Sequence, residues 1–363
     1  MKISVKAFFA LALCLCILFS FCSCGTFSIF GVGSTDESAN IPSPKLNFYI
    51  AAKNLEAAGY NVSVENRTPG VVKELAAIEY TDGCDASVVF RLIKFRNRRL
   101  AELYYNLEML QDESSDAEVA YNGQINKHVF ENYREELSDV QTDSLSYEIE
   151  NWEDWIANGG DRRICGRKGK YVWIGSPETV KYTYSKGSLG YERNRAGEEK
   201  IDFASEIEPF ISEKLSLAPS GDAPNFDFPV ASANLKSHGY YAKYGKSTSP
   251  GEISKLTVTS DKEGNVDILT VVECKDPELA QMYYEKQLIS LECKKESARL
   301  QRDILKHLRI INLGLGWMNI TDSIDYYEDQ LRELENQTVG KDGAFVWYGS
   351  KDAVSSTLSE KSN

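Results

Sequence analysis

The hydrophobic and polar positions along the chain change period in an order that indicates successive helices and strands. Apolar residues recur at helical spacing from Leu46 to Ala58, and Gly59 follows where that spacing stops. Runs that are alternating or mostly apolar come next, at 61–65, 71–80 and 87–95. The pattern therefore predicts a helix followed by three strands.

A longer helical period follows the third predicted strand. Asn97 precedes it, and this residue type accepts hydrogen bonds from the free amides at a helix start. A further apolar run, 171–174, predicts a buried strand, and Ser176 with Pro177 predicts the start of a last helix. The order of helix, three strands, long helix, strand and helix predicts an α+β fold in which an antiparallel sheet carries its helices on one face.

This unit occurs twice in the chain. Residues 44–60 match 224–240 with seven identities, and 169–180 match 343–354 with six. Between these blocks, the two long helices match without a gap at a shift of 179 residues. Such a long period predicts two duplicated copies, at 44–184 and 224–363, in a pseudo-twofold arrangement. Residues 185–223 form the connection between them.

The N-terminus has the pattern of an export signal. Lys2 and Lys6 precede the almost purely apolar stretch 7–21, and Ser23-Cys24 follows it. The segment resembles a bacterial lipoprotein signal, in which the cysteine at the cleavage point is acylated. The resemblance implies a signal peptide at 1–24 with lipidation at Cys24. Residues 25–43, rich in Gly, Ser, Thr and Pro, then predict a flexible spacer.

Two alternatives remain open for the same segment. It is long enough to stay as a single membrane-spanning anchor, and it also fits a signal that is cleaved without lipidation. The lysines before the apolar stretch favour an N-terminus inside the cell and an exported body. All three interpretations place that body outside the cytoplasm, and two of them anchor it at the outer face of the cytoplasmic membrane or the cell surface.

Composition and charge narrow the classes of partner. Of the 363 residues, 42% are hydrophobic and 26% are charged, which is typical of a globular protein. The net charge is −13, and without Lys2 and Lys6 the chain has 39 basic against 54 acidic residues, a charge of −15. An acidic body of this kind repels phosphate backbones, so no nucleic-acid partner is expected.

Two histidines occupy matching positions in the two copies, His128 and His307. If the fold brings them together, two imidazoles can bind a metal ion such as zinc. His128 also falls on the apolar stripe of the long helix, which favours a hydrogen-bonded core histidine. The metal site and the core position are therefore competing predictions.

Other candidate residues also have a functional and a structural interpretation. Trp152 and Trp155 lie among acids, as in a sugar-stacking surface or in a helix with two packing anchors. Ser176 and Ser350 follow glycines at predicted helix starts, where free amides bind anions or the serine simply caps the helix. Four cysteines do not align between the copies, which favours isolated buried thiols over disulfides: Cys84, Cys165, Cys274 and Cys293.

The sequence contains no recognisable catalytic arrangement, and no catalytic residue is assigned. We therefore predict a non-enzymatic, membrane-tethered binding protein of the bacterial cell envelope that uses no cofactor. Its expected partner is an envelope protein or a cell-wall glycan. Two alternatives are a hydrolase of envelope material that uses carboxylates at the junction of the copies, and a metal-binding lipoprotein that uses both histidines.

Overall fold

A computed structural model describes residues 43–65, 70–80, 86–158, 163–184, 203–217, 222–260, 266–310 and 320–359. Within these ranges the chain is α+β, with two five-stranded antiparallel sheets, and the predicted fold class is confirmed. The predicted signal peptide with Cys24, and all of the spacer except Ser43, lie outside the described residues. None of the helices in the described ranges combines the length and the apolar character of a membrane span.

In its described residues the first copy contributes four helices and the first sheet. Its elements are α1 (Phe48–Ala57), β1 (Asn61–Glu65), β2 (Val71–Tyr80), β3 (Ala86–Phe95), α2 (Arg98–Tyr133), α3 (Asp139–Asn158), β4 (Ile164–Lys168), β5 (Tyr171–Gly175) and α4 (Pro177–Tyr182). A single 3-10 turn, Arg134–Glu136, separates α2 from α3.

The second copy repeats this order, and a helix lies in the described part of the connection that precedes it. Its elements are α5 (Phe203–Leu215) in the connection, then α6 (Phe228–Ser237), β6 (Tyr241–Lys246), β7 (Glu252–Thr259), β8 (Asp267–Cys274), α7 (Pro277–Ile310), α8 (Ile320–Glu335), β9 (Gln337–Asp342), β10 (Phe345–Ser350) and α9 (Lys351–Ser356).

The strand orders are β1-β2-β3-β5-β4 and β6-β7-β8-β10-β9. Each sheet therefore has one strand more than the sequence predicted, an edge strand that precedes the last predicted one. The extra strands have a glycine in place of a large apolar residue, which weakens the alternating pattern. Gly166 pairs with Trp173, and Gly340 pairs with Trp347. A side chain at either glycine would overlap the indole ring, so both glycines make room for the tryptophans.

Helices begin and end at the cap residues and the glycine that the sequence predicted. The Leu100 amide donates to Asn97 Oδ1 at 2.9 Å, and the Leu279 amide donates to Asp276 Oδ1 at 2.8 Å. Gly59 has φ +99°, the left-handed conformation expected after a helix. Helix α2 runs from 98 to 133 as one element.

Each sheet buries both of its faces, whereas the sequence predicted helices on one face. Leu92 and Ile93 on β3 point to opposite faces, yet their exposures are only 0% and 3%. One face of the first sheet packs on α1 and α4, in a cluster that includes Phe48, Leu55, Leu75, Phe90, Leu92, Trp173 and Val180. The other packs on the long helices, in a cluster that includes Val71, Ile93, Phe95, Leu100, Val172, Ile304 and Leu308.

The chain divides into two compact units that do not follow the order of the copies. The first unit comprises 1–113, 158–206 and 300–327, and the second comprises 114–157, 207–299 and 328–363. Ile304 and Leu308 of α7 therefore lie in the core of the first sheet. Ile125 and Val129 of α2 lie in the core of the second sheet. Each unit contains residues from both copies.

Candidate functional site

One cluster of polar side chains in the second unit joins the end of α2 to the start of α7. His128 Nε2 lies 3.0 Å from Asp276 Oδ2, and the Tyr133 hydroxyl donates to the same oxygen. The other oxygen of Asp276 accepts the Leu279 amide. The His128 side chain is 10% exposed and that of Asp276 is 27% exposed, so the cluster opens to solvent on the side of the carboxylate.

The hydrogen bonds around Asp276 fix its charge. Partial burial by itself raises the pKa of Asp276, but the bonds from Tyr133, His128 and the Leu279 amide outweigh this effect and lower the pKa to about 2. The carboxylate is therefore ionised throughout the neutral range. Burial and the hydrogen bond to Asp276 raise the pKa of Tyr133.

A second carboxylate lies beside this cluster. One possible ligand atom each from His128, Asp276 and Glu278 lie within 4.8 Å of one another, and Glu278 is exposed. Imidazole nitrogen and carboxylate oxygen are the donors that zinc and similar divalent ions bind. Nearby, the Lys275 ammonium pairs with Glu136. We call His128, Asp276 and Glu278 the histidine-carboxylate cluster.

The first unit contains the matching contact with different chemistry. His307 Nε2 lies 2.9 Å from Asn97 Nδ2, and these residues match His128 and Asp276 at the shift of 179. Arg99 stands at the position of Glu278 and pairs with Glu102 at 3.1 Å. The first unit thus has an amide and a guanidinium where the second unit has two carboxylates.

The structure gives each histidine its own partner within its own unit. His128 contacts Asp276 in the second unit, and His307 contacts Asn97 in the first. The hypothesis that both histidines hold one ion gains no support from these contacts. A single histidine together with two carboxylates was not predicted, because Asp276 showed only the pattern of a helix cap and Glu278 lies in the first turn of that helix.

The other predicted site residues occupy structural positions. The ring of Trp152 packs over Gly123 of α2, where any side chain would overlap it, and Trp155 is partly buried on α3. Ser176 accepts the Thr179 amide at 3.1 Å, and Ser350 accepts the Ala353 amide at 3.4 Å. Both serines are thus helix caps.

Three of the four cysteines in the body are buried and form no disulfide with one another: Cys165, Cys274 and Cys293. Burial raises the pKa of Cys274 to about 12, so this thiol is protonated and unreactive at neutral pH. Cys84 lies outside the described residues.

An open pocket in the second unit combines aromatic rings with a carboxylate. It has a volume of about 280 Å³ and lies where the start of α6 meets β6, β7 and β8, lined among others by Phe226, Phe228, Pro229, Tyr244, Ser254 and Glu273. The Ser254 hydroxyl donates to Glu273 Oε2 at 2.5 Å. Phe226 stacks on Phe345 with 4.4 Å between ring centroids, so its position is fixed by the core behind it. We call this feature the aromatic pocket.

The same place in the first unit is covered by lysines. Lys73 of β2 lies opposite Lys94 of β3 in the first sheet. In the second sheet, Ser254 and Glu273 occupy the equivalent opposed positions. The Lys73 ammonium lies 5.4 Å from the centre of the Phe48 ring. The two copies therefore differ in charge at this place, basic in the first unit and acidic in the second.

A partly buried group of charged residues in the first unit was not predicted from the sequence. Arg91 bonds Glu74 at 2.7 Å on the sheet and lies 3.7 Å from Glu108 on α2. One turn further along, Asp112 is only 6% exposed. Its burial raises its pKa to about 8, an effect that Glu108 strengthens and Arg163 opposes. The only signal in the sequence was the spacing of acids four residues apart along a helix.

Comparison of the chain with protein-family models, with curated proteins and with solved structures finds no match.

Proposed function

We propose that this chain is an exported, membrane-tethered binding protein of the bacterial cell envelope, and that the aromatic pocket binds a sugar ring of a cell-wall glycan. The aromatic pocket is the observation that carries the proposal. It places Phe226 and Tyr244 beside a hydroxyl and a carboxylate on an open surface. Such a mixture of flat apolar rings and a few hydrogen-bonding groups is the usual lining of a small-ligand site.

The chemistry of the aromatic pocket suits a saccharide. Aromatic rings offer flat apolar faces on which the carbon face of a sugar ring can stack, while its hydroxyl groups need hydrogen-bonding partners. Ser254 and Glu273 supply acceptors at the floor of the aromatic pocket. At about 280 Å³ the aromatic pocket is small among ligand sites, as suits one ring of a longer chain.

Binding without catalysis is the better fit to these groups. Among the described residues that line the aromatic pocket there is no histidine to act as a base for Ser254, whose hydroxyl donates to Glu273. Asp112 has the raised pKa of a general acid, but with 6% exposure it is closed to a substrate. Asp112 therefore gives no support to the alternative of a carboxylate hydrolase.

Binding to glycan fragments tests the proposal. The Tyr244→Ala variant of the full-length protein should bind soluble cell-wall fragments at least about tenfold more weakly, because a stacking face is lost. Tyr241→Ala is the matched control, since Tyr241 lies on the same strand but on the other face of the sheet and is 39% exposed. Equal binding by the wild type and Tyr244→Ala, or no binding by the wild type, would contradict the proposal.

The proposed lipid anchor at Cys24 is tested separately from glycan binding. We expect the wild-type chain, produced in a bacterium, to incorporate a labelled fatty acid and to fractionate with membranes, whereas Cys24→Ser should incorporate none. The reason is that the resemblance to a lipoprotein signal assigns acylation to Cys24 alone. A wild-type protein found in membranes without the label would favour the retained anchor, and an unlabelled soluble protein would favour plain cleavage.

A further inference from the structure

We propose that the histidine-carboxylate cluster of the second unit is a binding site for a divalent transition-metal ion of the zinc class. The site comprises His128, Asp276 and Glu278, and it is independent of the proposed glycan binding. The types of donor atom, their spacing and the groups around them all favour metal binding.

The geometry already approaches that of a coordinated ion. His128 Nε2 and Asp276 Oδ2 lie 3.0 Å apart. A tetrahedral zinc ion with ligand distances near 2.1 Å separates two such donors by about 3.4 Å. Glu278 has a carboxylate oxygen within 4.8 Å of one ligand atom of His128 and one of Asp276, and because Glu278 is exposed its side chain can rotate to meet the ion. Small side-chain movements are therefore enough.

The surroundings hold the carboxylate of Asp276 in place. Asp276 is fixed by the Leu279 amide, which donates to Oδ1 and leaves Oδ2 directed at His128. Tyr133 supports that second oxygen with its hydroxyl. Groups that orient the ligands in this way are a regular feature of metal sites in proteins.

The charges also favour a cation. Two carboxylates and one imidazole carry a charge of −2 when the imidazole is neutral, and the adjacent Lys275 ammonium is paired with Glu136. Three protein donors leave one tetrahedral position for water or for a further ligand, as in zinc sites that are not purely structural.

The first unit provides an internal control for this inference. Its matching residues are His307, Asn97 and Arg99, so the histidine is kept while one carboxylate becomes an amide and the other a guanidinium. A neutral amide oxygen is a weaker zinc ligand than a carboxylate and a guanidinium is no ligand, so the matching place should bind an ion far more weakly. Because the histidine is common to both copies, the two carboxylates are the groups that should determine whether an ion binds.

Titration of the full-length protein with Co²⁺ in mild detergent tests the proposal. We expect one Co²⁺ per chain, with the weak visible spectrum of nitrogen and oxygen ligands, and displacement of this ion by Zn²⁺. Asp276→Asn and Glu278→Gln should each weaken binding by at least about tenfold, a loss typical of disturbed metal sites. His307→Gln is the matched control and should bind as the wild type does.

The variants are chosen to keep the fold. Asn97 caps the matching helix in the first unit, so asparagine at 276 preserves the cap, and Glu278 is exposed. The double substitution Asn97→Asp and Arg99→Glu should create a second site and raise the stoichiometry to two. A wild type that binds no Co²⁺, an Asp276→Asn variant that binds as tightly as the wild type, or the intense absorption of cysteine-bound Co²⁺ would overturn the proposal.

Discussion

Single aligned positions of the two copies carry different chemistry although the copies share the same order of helices and strands. Asp112 of α2 matches Leu291 of α7 at the shift of 179, and both are buried, at 6% exposure each. The first copy thus holds a carboxyl group where the second holds an apolar side chain. Burial of a carboxyl group favours its neutral form, and this is why its pKa is raised to about 8.

The raised pKa makes a prediction about stability and pH. Because the pKa of Asp112 is higher in the folded state than its ordinary value of 3.8, the unfolded chain loses this proton first as pH rises. Folding stability should therefore fall between about pH 4 and pH 8. Asp112→Leu, which copies Leu291, should raise the free energy of unfolding at pH 8, by an upper limit of about 5 kcal/mol, with much less effect at pH 4.

Urea unfolding of the wild type and Asp112→Leu at pH 4, 6 and 8 measures this difference. Glu135→Gln is the control, because Glu135 is exposed and a substitution at such a position should change the free energy of unfolding little. A gain from Asp112→Leu that is the same at pH 4 and pH 8 would show that Asp112 titrates normally.

At the scale of elements, glycines with positive φ decide how closely a helix approaches a sheet. Gly251, just before β7, has φ +81°, and a Cβ there would lie 2.6 Å from Leu279 Cδ2 and 3.0 Å from Val129 Cγ2. Gly70 has the matching position in the first unit, with Leu100 and Leu308 as neighbours. Both long helices of each unit therefore meet the sheet at a glycine.

Alanine substitutions can separate backbone strain from crowding at these glycines. Gly239 has φ +91°, but a methyl group there would have no described atom within 4 Å, so Gly239→Ala should cost only the strain of a left-handed residue, about 1 kcal/mol. Gly251→Ala adds crowding and should cost about 1 to 3 kcal/mol more. Denaturant midpoints of the two variants give the comparison, and equal losses would mean that Leu279 and Val129 move aside freely.

Most elements could be predicted because their signals are local. The alternation of β1 to β3, the cap at Asn97 and the glycine at 59 each act within a few residues, and the structure has the predicted element at each place. The edge strands β4 and β9 were missed, since a glycine facing a tryptophan removes the alternating pattern. The histidine-carboxylate cluster was missed because its members lie 148 residues apart in sequence.

At the scale of the whole molecule, the sequence could not reveal which sheet each helix end covers. The apolar stripes of α2 and α7 are suited to either sheet, because the two helices align without a gap and share most of their apolar positions. Periodicity shows that a face is buried but not what lies against it. In the structure the end of α7 brings Ile304 and Leu308, at 5% and 3% exposure, into the core of the first sheet.

This arrangement predicts that one copy does not fold alone. The fragment 44–184 lacks Ile304 and Leu308, so Val71, Phe95 and Leu100 should be left partly uncovered and should bind a hydrophobic dye such as ANS. Production together with 224–363 should give a 1:1 complex in which dye binding disappears. Light scattering and ANS fluorescence measure the two results.

A substitution in the partner fragment shows whether the helix end is responsible. Leu308→Asp in 224–363 should prevent the rescue, because a buried carboxylate beside Leu100 has no partner, whereas Arg309→Ala should leave the rescue intact since Arg309 is exposed. Because Ile125 and Val129 of the first copy match Ile304 and Leu308, the fragment 44–184 can also supply these side chains to a second molecule of itself. A dye-free homodimer would agree with the helix exchange, and a dye-free monomer would refute it.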